Sequence, residues 1–368
     1  MINTNRLIET FSRYVACASE SGKERPFCEL IEKELGALGF TVTRDEVGPQ
    51  CESDGWNVHA FLPGEGEPIL FSAHCDTVPP GGDIQAVVED GVIRSAGDTI
   101  LAADNKAGIA AVTEAITTIQ EAGLSHRPIE VLFSICEEVG LLGSKHADYT
   151  RIQSKEAVVL DSIVLGEMIN QGPAKNVVRV EITGKSAHAA IAPDRGISAV
   201  KAAAAAIVNI PSGYVDDDTV MNVANLLAPG KTNVVPEKAS FEIDMRALDK
   251  EILQRRLDQV EAAVREACEA MGATWEIQVD WQTEALFVPL SSPVLLRLLQ
   301  VYEALGVTTK VAKTFGGSDA TWLFTKGGMD VINVGIGMTD VHSTDERITV
   351  ADFVVTTQAV LEMMRPTQ

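Results

Sequence analysis

The sequence predicts an α/β protein in which a main domain, built on a mixed sheet flanked by helices, is interrupted by an inserted α+β domain. Three observations carry this reading. Strand-like and helical patterns alternate through the first half of the chain. Near residue 172 the texture changes to a strand–helix–strand–strand–helix–strand series, a complete α+β unit in itself. Helix and strand patterns resume from about residue 286. The expected organisation is therefore 1–173 and 283–368 for the main domain, with the insert at 174–282. A length of 368 residues, more than one ordinary core holds, agrees with two domains.

Each element has a local reason. The opening MINTNRLIETFSRYV reads as an amphipathic helix with Leu7, Ile8, Phe11 and Val15 on one face; it has no signal-peptide pattern. GKERPFCELIEKELGAL (22–38) is helical and stops at Gly39, where a C-terminal glycine is expected. TVTRDEV, WNVHAFL, PILFSAHCD and VVEDGVIRS follow as strands. The Ala-rich stretch 105–122 predicts a helix leading to the buried strand IEVLFSIC. In the insert, VVRVEITG alternates as a strand, and a helix is expected around 196–208. VMNVANLLA, KASFEIDMRAL, a helix over 249–271 and ATWEIQVDW complete it. SPVLLRLLQVYEALG and MDVINVGIG then return to the main domain.

Composition excludes more than it identifies. The formal charge of −22 repels nucleic-acid phosphates and anionic membrane surfaces. No run of 18 apolar residues predicts a membrane span. Six scattered cysteines, with no CxxC pair, suit a reducing compartment, so a cytoplasmic location is expected. Cys75 and Cys136 adjoin the residues discussed next but are not read as ligands.

Five short segments hold metal-capable side chains, four at the expected C-terminal ends of strands or beyond them and one, AADNKAG, at a loop leading into a helix. They are SAHCDTV with His74 and Asp76, AADNKAG with Asp104, ICEEVG with Glu137 and Glu138, VLDS with Asp161, and TDVHSTDE with His342. Strand ends are where open α/β sheets bring distant segments to one point. Taken singly, a His or an acidic pair is more often structural or solvated, and His59, His126 and His146 are read that way. The ordered combination is what points to a site.

By these motifs, together with HCDTVPPGGDI, GDTILAADNKAGIAA, GKSAHA and GGSDA, the chain resembles the M20 family of co-catalytic zinc peptidases, on its tripeptide aminopeptidase side. Acylase and deacylase relatives commonly carry a DMKGG-like sequence where this chain has DNKAG. One departure stands out. The lid motif usually has a glycine after its histidine, whereas this chain has His188-Ala189-Ala190.

The resemblance implies two divalent ions, zinc first with cobalt or manganese as alternatives. His74, Asp104 and Asp161 would hold one, and Asp104, Glu138 and His342 the other, with Asp104 bridging. It further implies that Asp76 orients His74 and that Glu137 is the general base on a shared water. The main domain would be catalytic, and the insert a lid that also makes a homodimer. His188, Asn233 and Arg246 in the insert, with Gly316, Gly317 and Ser318, would contact the substrate. Lys106 is expected to salt-bridge the acidic site from its helix start. The implied reaction is release of the N-terminal residue of a tripeptide or similar short peptide. The alternative is metal-dependent deacylation of N-acyl amino acids.

Overall fold

Apolar runs bounded by turn residues become the strands of a mixed sheet in the computed structural model, which describes residues 1–366. The chain divides into two units: Met1–Asn170 with Phe287–Lys313 and Gly317–Gln368, and Gln171–Leu286 with Thr314–Gly316.

In the first unit six strands matter for the site: β1 (Thr41–Asp45), β2 (Asn57–Leu62), β3 (Ile69–His74), β4 (Ile129–Ser134), β5 (Glu156–Ser162) and β6 (Asp330–Gly335). Their spatial order is β1-β2-β4-β3-β5-β6. The β1–β2 and β2–β4 pairs are antiparallel, whereas β4, β3, β5 and β6 run parallel. Every residue of β3 and β4 is buried, as expected for parallel strands covered on both faces. Register aligns their ends, with His74 opposite Ser134 and Gly335 opposite Ser162. Four chain segments therefore leave the sheet side by side at one edge.

The helix Ala103–Ala122 lies in the connection from β3 to β4 and packs on β3; helices Thr4–Ala16 and Val350–Met364 pack on it in turn. Its apolar face includes Ile109, Val112, Ile116 and Ile119, each at most 1% exposed. Burying each such side chain contributes about 1.5–3 kcal/mol, so this helix is anchored firmly enough to position the residues at its start. Gly108 permits that packing. A Cβ there would lie 3.0 Å from the Leu160 Cβ on β5 and 2.5 Å from the Asn105 Oδ1.

The second unit is an antiparallel five-stranded sheet in the order 213–216, 219–227, 238–247, 174–183, 274–283. Helices Ala199–Val208 and Lys250–Met271 pack against it through Ala202, Ala206, Leu257 and Val264. Alternation drives this arrangement: Val178, Val180 and Ile182 face the core while Arg179 and Glu181 face away. The strand Gly213–Asp216 is one that sequence patterning missed. It is a short edge strand with no buried residue, so it carries no apolar alternation to read.

Candidate metal centre

The four parallel strands deliver their side chains to one place. His74 ends β3 and is 1% exposed. Its Nε2 lies 2.9 Å from Asp104 Oδ1 and 3.6 Å from Asp161 Oδ1. Asp161 sits at the end of β5, where its N–H is held by the Asn333 side chain on β6 at 3.0 Å. Asn105 Nδ2 donates to Asp161 Oδ1 at 3.0 Å. Beyond β4 come Glu137 and Glu138, and beyond β6 comes His342. The His342 Nε2 is 2.9 Å from Glu138 Oε1 and 3.2 Å from Asp104 Oδ2. Asp104 thus turns one oxygen to each histidine. His74, Asp104 and Glu138 present ligand atoms within 4.8 Å of one another.

Backbone conformation aims these groups. Ala102, Cys136 and His342 all have left-handed φ, at 60°, 52° and 62°. In residues other than glycine each such conformation costs on the order of 1–3 kcal/mol and persists only where surrounding contacts enforce it. Cys136 is enforced by Glu24, a buried carboxylate whose Oε1 accepts its N–H at 3.2 Å and its thiol at 3.1 Å.

Two expectations about helpers change in detail. Asp76 touches His74, but the 2.9 Å contact to the imidazole Nδ1 comes from its main-chain carbonyl; the carboxylate is 3.5 Å away. That carboxylate instead accepts the N–H groups of Glu137 and Glu138 at 2.9 and 3.2 Å and the Ser21 hydroxyl at 2.7 Å. Lys106 makes no ion pair with the acidic site. It is fully buried, donates to the Cys17 carbonyl at 2.6 Å and sits 4.4 Å from the Phe27 ring centroid. Burial pulls its pKa down to about 8. The helix start turns this side chain into the core, where the Cys17 carbonyl accepts its hydrogen bond.

The electrostatics are those of crowded acids. Burial, with Asp161, Asp319 and Glu138 nearby, pushes the Glu137 carboxyl well above its usual range, against a smaller opposing pull from His74. Burial also lifts Asp161 to about 7, although His74 opposes it. His342 is raised to about 10 by its contacts with Asp104 and Glu138. At His74 burial acts downward, but the contacts with Asp104, Asp161 and Asp76 outweigh it and hold the imidazole well above its ordinary value. Carboxylates and imidazoles packed this closely form a donor set that suits divalent cations.

Residue by residue, the structure brings His74, Asp76, Asp104, Glu137, Glu138, Asp161 and His342 together. Ser318 is buried next to Asp319, which accepts the hydroxyls of Ser134 and Ser144 and so ties the end of β4 to the start of helix Ala320–Thr325. A Cβ on Gly317 would meet the Leu141 side chain at 3.3 Å. In the other unit His188 and Asn233 are exposed and their segments pair, with the Ala189 N–H donating to the Asn233 carbonyl at 3.0 Å. The Gly316 N–H is taken by Thr314 Oγ1 at 2.9 Å. The Arg246 fork is likewise engaged, by Asp244 at 2.8 and 3.2 Å and by the Phe315 carbonyl at 2.8 Å. His59 is structural, 2.7 Å from Glu130. Sequence reading missed Glu24, Ser21, Asn105, Asp319 and Glu346. Asp319 and Glu346 stood within the motifs GGSDA and VHSTDE, where a buried acid could have been sought. For Glu24 and Ser21 no local signal existed.

Residues 70–365 match the profile described as Peptidase family M20/M25/M40. The chain belongs to this family. Among M20 relatives, the protein YqjE of Bacillus subtilis (strain 168) is 30% identical over 99% of both chains. Aminopeptidase PepT from Bacillus cereus ATCC 10987 has a solved structure that is 31% identical and superposes with a TM-score of 0.95, covering 99% of this chain and 98% of that one. The structure of a tripeptidase from Staphylococcus aureus subsp. aureus mu50 gives a TM-score of 0.96 at 28% identity, with the same coverage. This M20 peptidase therefore shares its whole fold with them, over both units. No helix among the described residues is long and apolar enough to cross a membrane.

Proposed function

We propose that this M20 peptidase is a di-metal aminopeptidase that releases the N-terminal residue of tripeptides or similar short peptides. The observation that carries the reading is Asp104, one oxygen toward His74 and the other toward His342. In this proposal His74, Asp104 and Asp161 hold one ion, and Asp104, Glu138 and His342 hold the second. Zinc is the first choice, with cobalt or manganese compatible with the same donors. Two divalent ions supply Lewis acidity toward the scissile carbonyl and make water nucleophilic at neutral pH.

Glu137 performs the proton work. It is placed beside Glu138 by the Asp76 carboxylate, it is 8% exposed, and no hydrogen bond engages its carboxylate among the described residues. A carboxylate so placed can take the proton of the attacking water and return it to the departing amine. We assign substrate contacts to His188, Asn233, Gly316, Gly317 and Ser318. Arg246, whose guanidinium is engaged by Asp244, is assigned a substrate contact with them. The unit formed by Gln171–Leu286 is assigned homodimer formation. The short-peptide specificity is supported by full-length likeness to PepT and to the tripeptidase.

The test is a hydrolysis panel on metal-stripped protein before and after zinc, cobalt or manganese is returned. The panel holds free-amine tripeptides and dipeptides, their N-blocked forms, and N-acyl amino acids. Metal-dependent release of the first residue from free tripeptides is the expected result. Cleavage confined to the acylated compounds would replace the proposal with a deacylase.

A further inference from the structure

The Glu346 carboxylate is 1% exposed and gathers three main-chain N–H groups. Leu101 and Ala102 donate to Oε2 at 2.8 and 2.9 Å, and Asp104 donates to Oε1 at 3.0 Å. Glu346 itself belongs to the turn that begins at His342. Its N–H donates to the Ser343 carbonyl at 3.2 Å, and the Ser343 hydroxyl donates to the Asp340 carbonyl at 2.6 Å. One side chain therefore joins the loop that carries Asp104 to the turn that carries His342.

We infer that Glu346 is a positioning residue that locks Asp104 and His342 in register, so that the ion they share depends on a clamp that is not itself a ligand. The inference rests on the di-metal reading above. Ala102, gripped by the same carboxylate, has left-handed φ of 60°. That conformation needs enforcement, and convergent N–H groups around one anion supply it. Glutamine is the informative replacement. It keeps the size but offers an oxygen at only one end, so either the Asp104 N–H or the Leu101–Ala102 pair would face an amide donor. A hydrogen bond to a charged group contributes more than one to a neutral amide.

The experiment strips metal from the wild type, Glu346→Gln and Glu346→Asp, then titrates each with Co²⁺ alone. Visible absorption and chelator competition count the ions and rank their affinities. Melting of the metal-free proteins and kcat and KM on a tripeptide complete the set. In Glu346→Gln the ion shared by Asp104 and His342 should bind roughly 10–100-fold more weakly, as is usual when a partner behind a ligand is lost. Activity should fall through kcat, with KM nearly unchanged, and should recover in excess Co²⁺. Should Glu346→Gln fail to fold, Glu346→Asp carries the same comparison, because it keeps the buried charge and shortens the reach. Unchanged affinities and kcat, or a lower melting temperature with unchanged affinities, overturn the inference while leaving the di-metal reading intact. A wild type that binds fewer than two Co²⁺ ions overturns that reading, and this inference with it.

Discussion

Asp76 holds Glu137 by its main chain: the Asp76 Oδ1 accepts the Glu137 N–H at 2.9 Å. The carboxylate two residues after one proposed ligand thereby sets the position of the proposed base. Asp76→Ala would leave the buried Glu137 N–H and the part-buried Glu138 N–H and Ser21 hydroxyl without their acceptor. Unsatisfied buried donors cost about 1–3 kcal/mol, so urea unfolding should show a loss of that order. A drop in kcat of roughly 10–100-fold should accompany it.

Glu137 lies beside the ligand set without belonging to it. Glu137→Ala should retain near-normal metal content and lower kcat by about 10²–10⁴. Metal analysis and steady-state kinetics on the same preparation check both halves. Full activity in this variant would remove Glu137 from the proton transfer.

Asp104 contacts both histidines; Asp161 is 3.6 Å from His74 and Glu138 is 2.9 Å from His342, with Glu138 and His74 ligand atoms themselves within 4.8 Å. Metal counts should follow that asymmetry. Asp161→Ala and His342→Ala should each weaken one ion selectively, and Asp104→Ala should weaken both. Elemental analysis after dialysis distinguishes the patterns. Loss of both ions in all three variants would contradict separate groups sharing one residue.

Gly143 packs where no side chain fits. A Cβ there would lie 2.2 Å from the Ile135 carbonyl and 2.6 Å from Asn57 Oδ1. Ile135 leads directly to Cys136 and Glu137, so Gly143→Ala should disturb stability and site together. Overpacking of this kind costs about 1–3 kcal/mol. Denaturation midpoint and kcat should both fall, and a silent variant would show that this approach can relax.

Acid stability should depend on Glu130, a buried carboxylate away from the site. Burial acts to raise its pKa, but His59, Ser154 and the Gln153 and Ser154 N–H groups outweigh this and lower it from 4.5. A lowered native pKa means the stabilisation is present above about 4.5 and is lost as pH falls through the native value. Glu130→Gln should therefore be most damaging near neutrality, with the difference from wild type shrinking toward pH 3. Melting curves across that range test the sign. A constant difference would assign the effect to packing rather than ionisation.

Local rules explain what could be read without coordinates. The helices expected at 105–122 and 249–271 form as Ala103–Ala122 and Lys250–Met271. Periodicity, capping residues and terminal glycines act within a few positions of themselves. The seven acids and histidines of the proposed centre could likewise be singled out: all but Asp104, which opens a helix, stand at or beyond the end of an apolar run, and parallel strands must discharge their ends together.

What those side chains touch was decided only by the tertiary structure. Whether Lys106 faces acid or core, whether Arg246 is free or held by Asp244, and which N–H groups fill Asp76 and Glu346 depend on side-chain direction and on pairings across as many as 245 positions. The chain alone determined the family, the order of its elements and the set of metal-capable residues. Folding decided which buried carboxylates serve as clamps, because a buried acid takes whatever donors the packing of distant segments brings within reach.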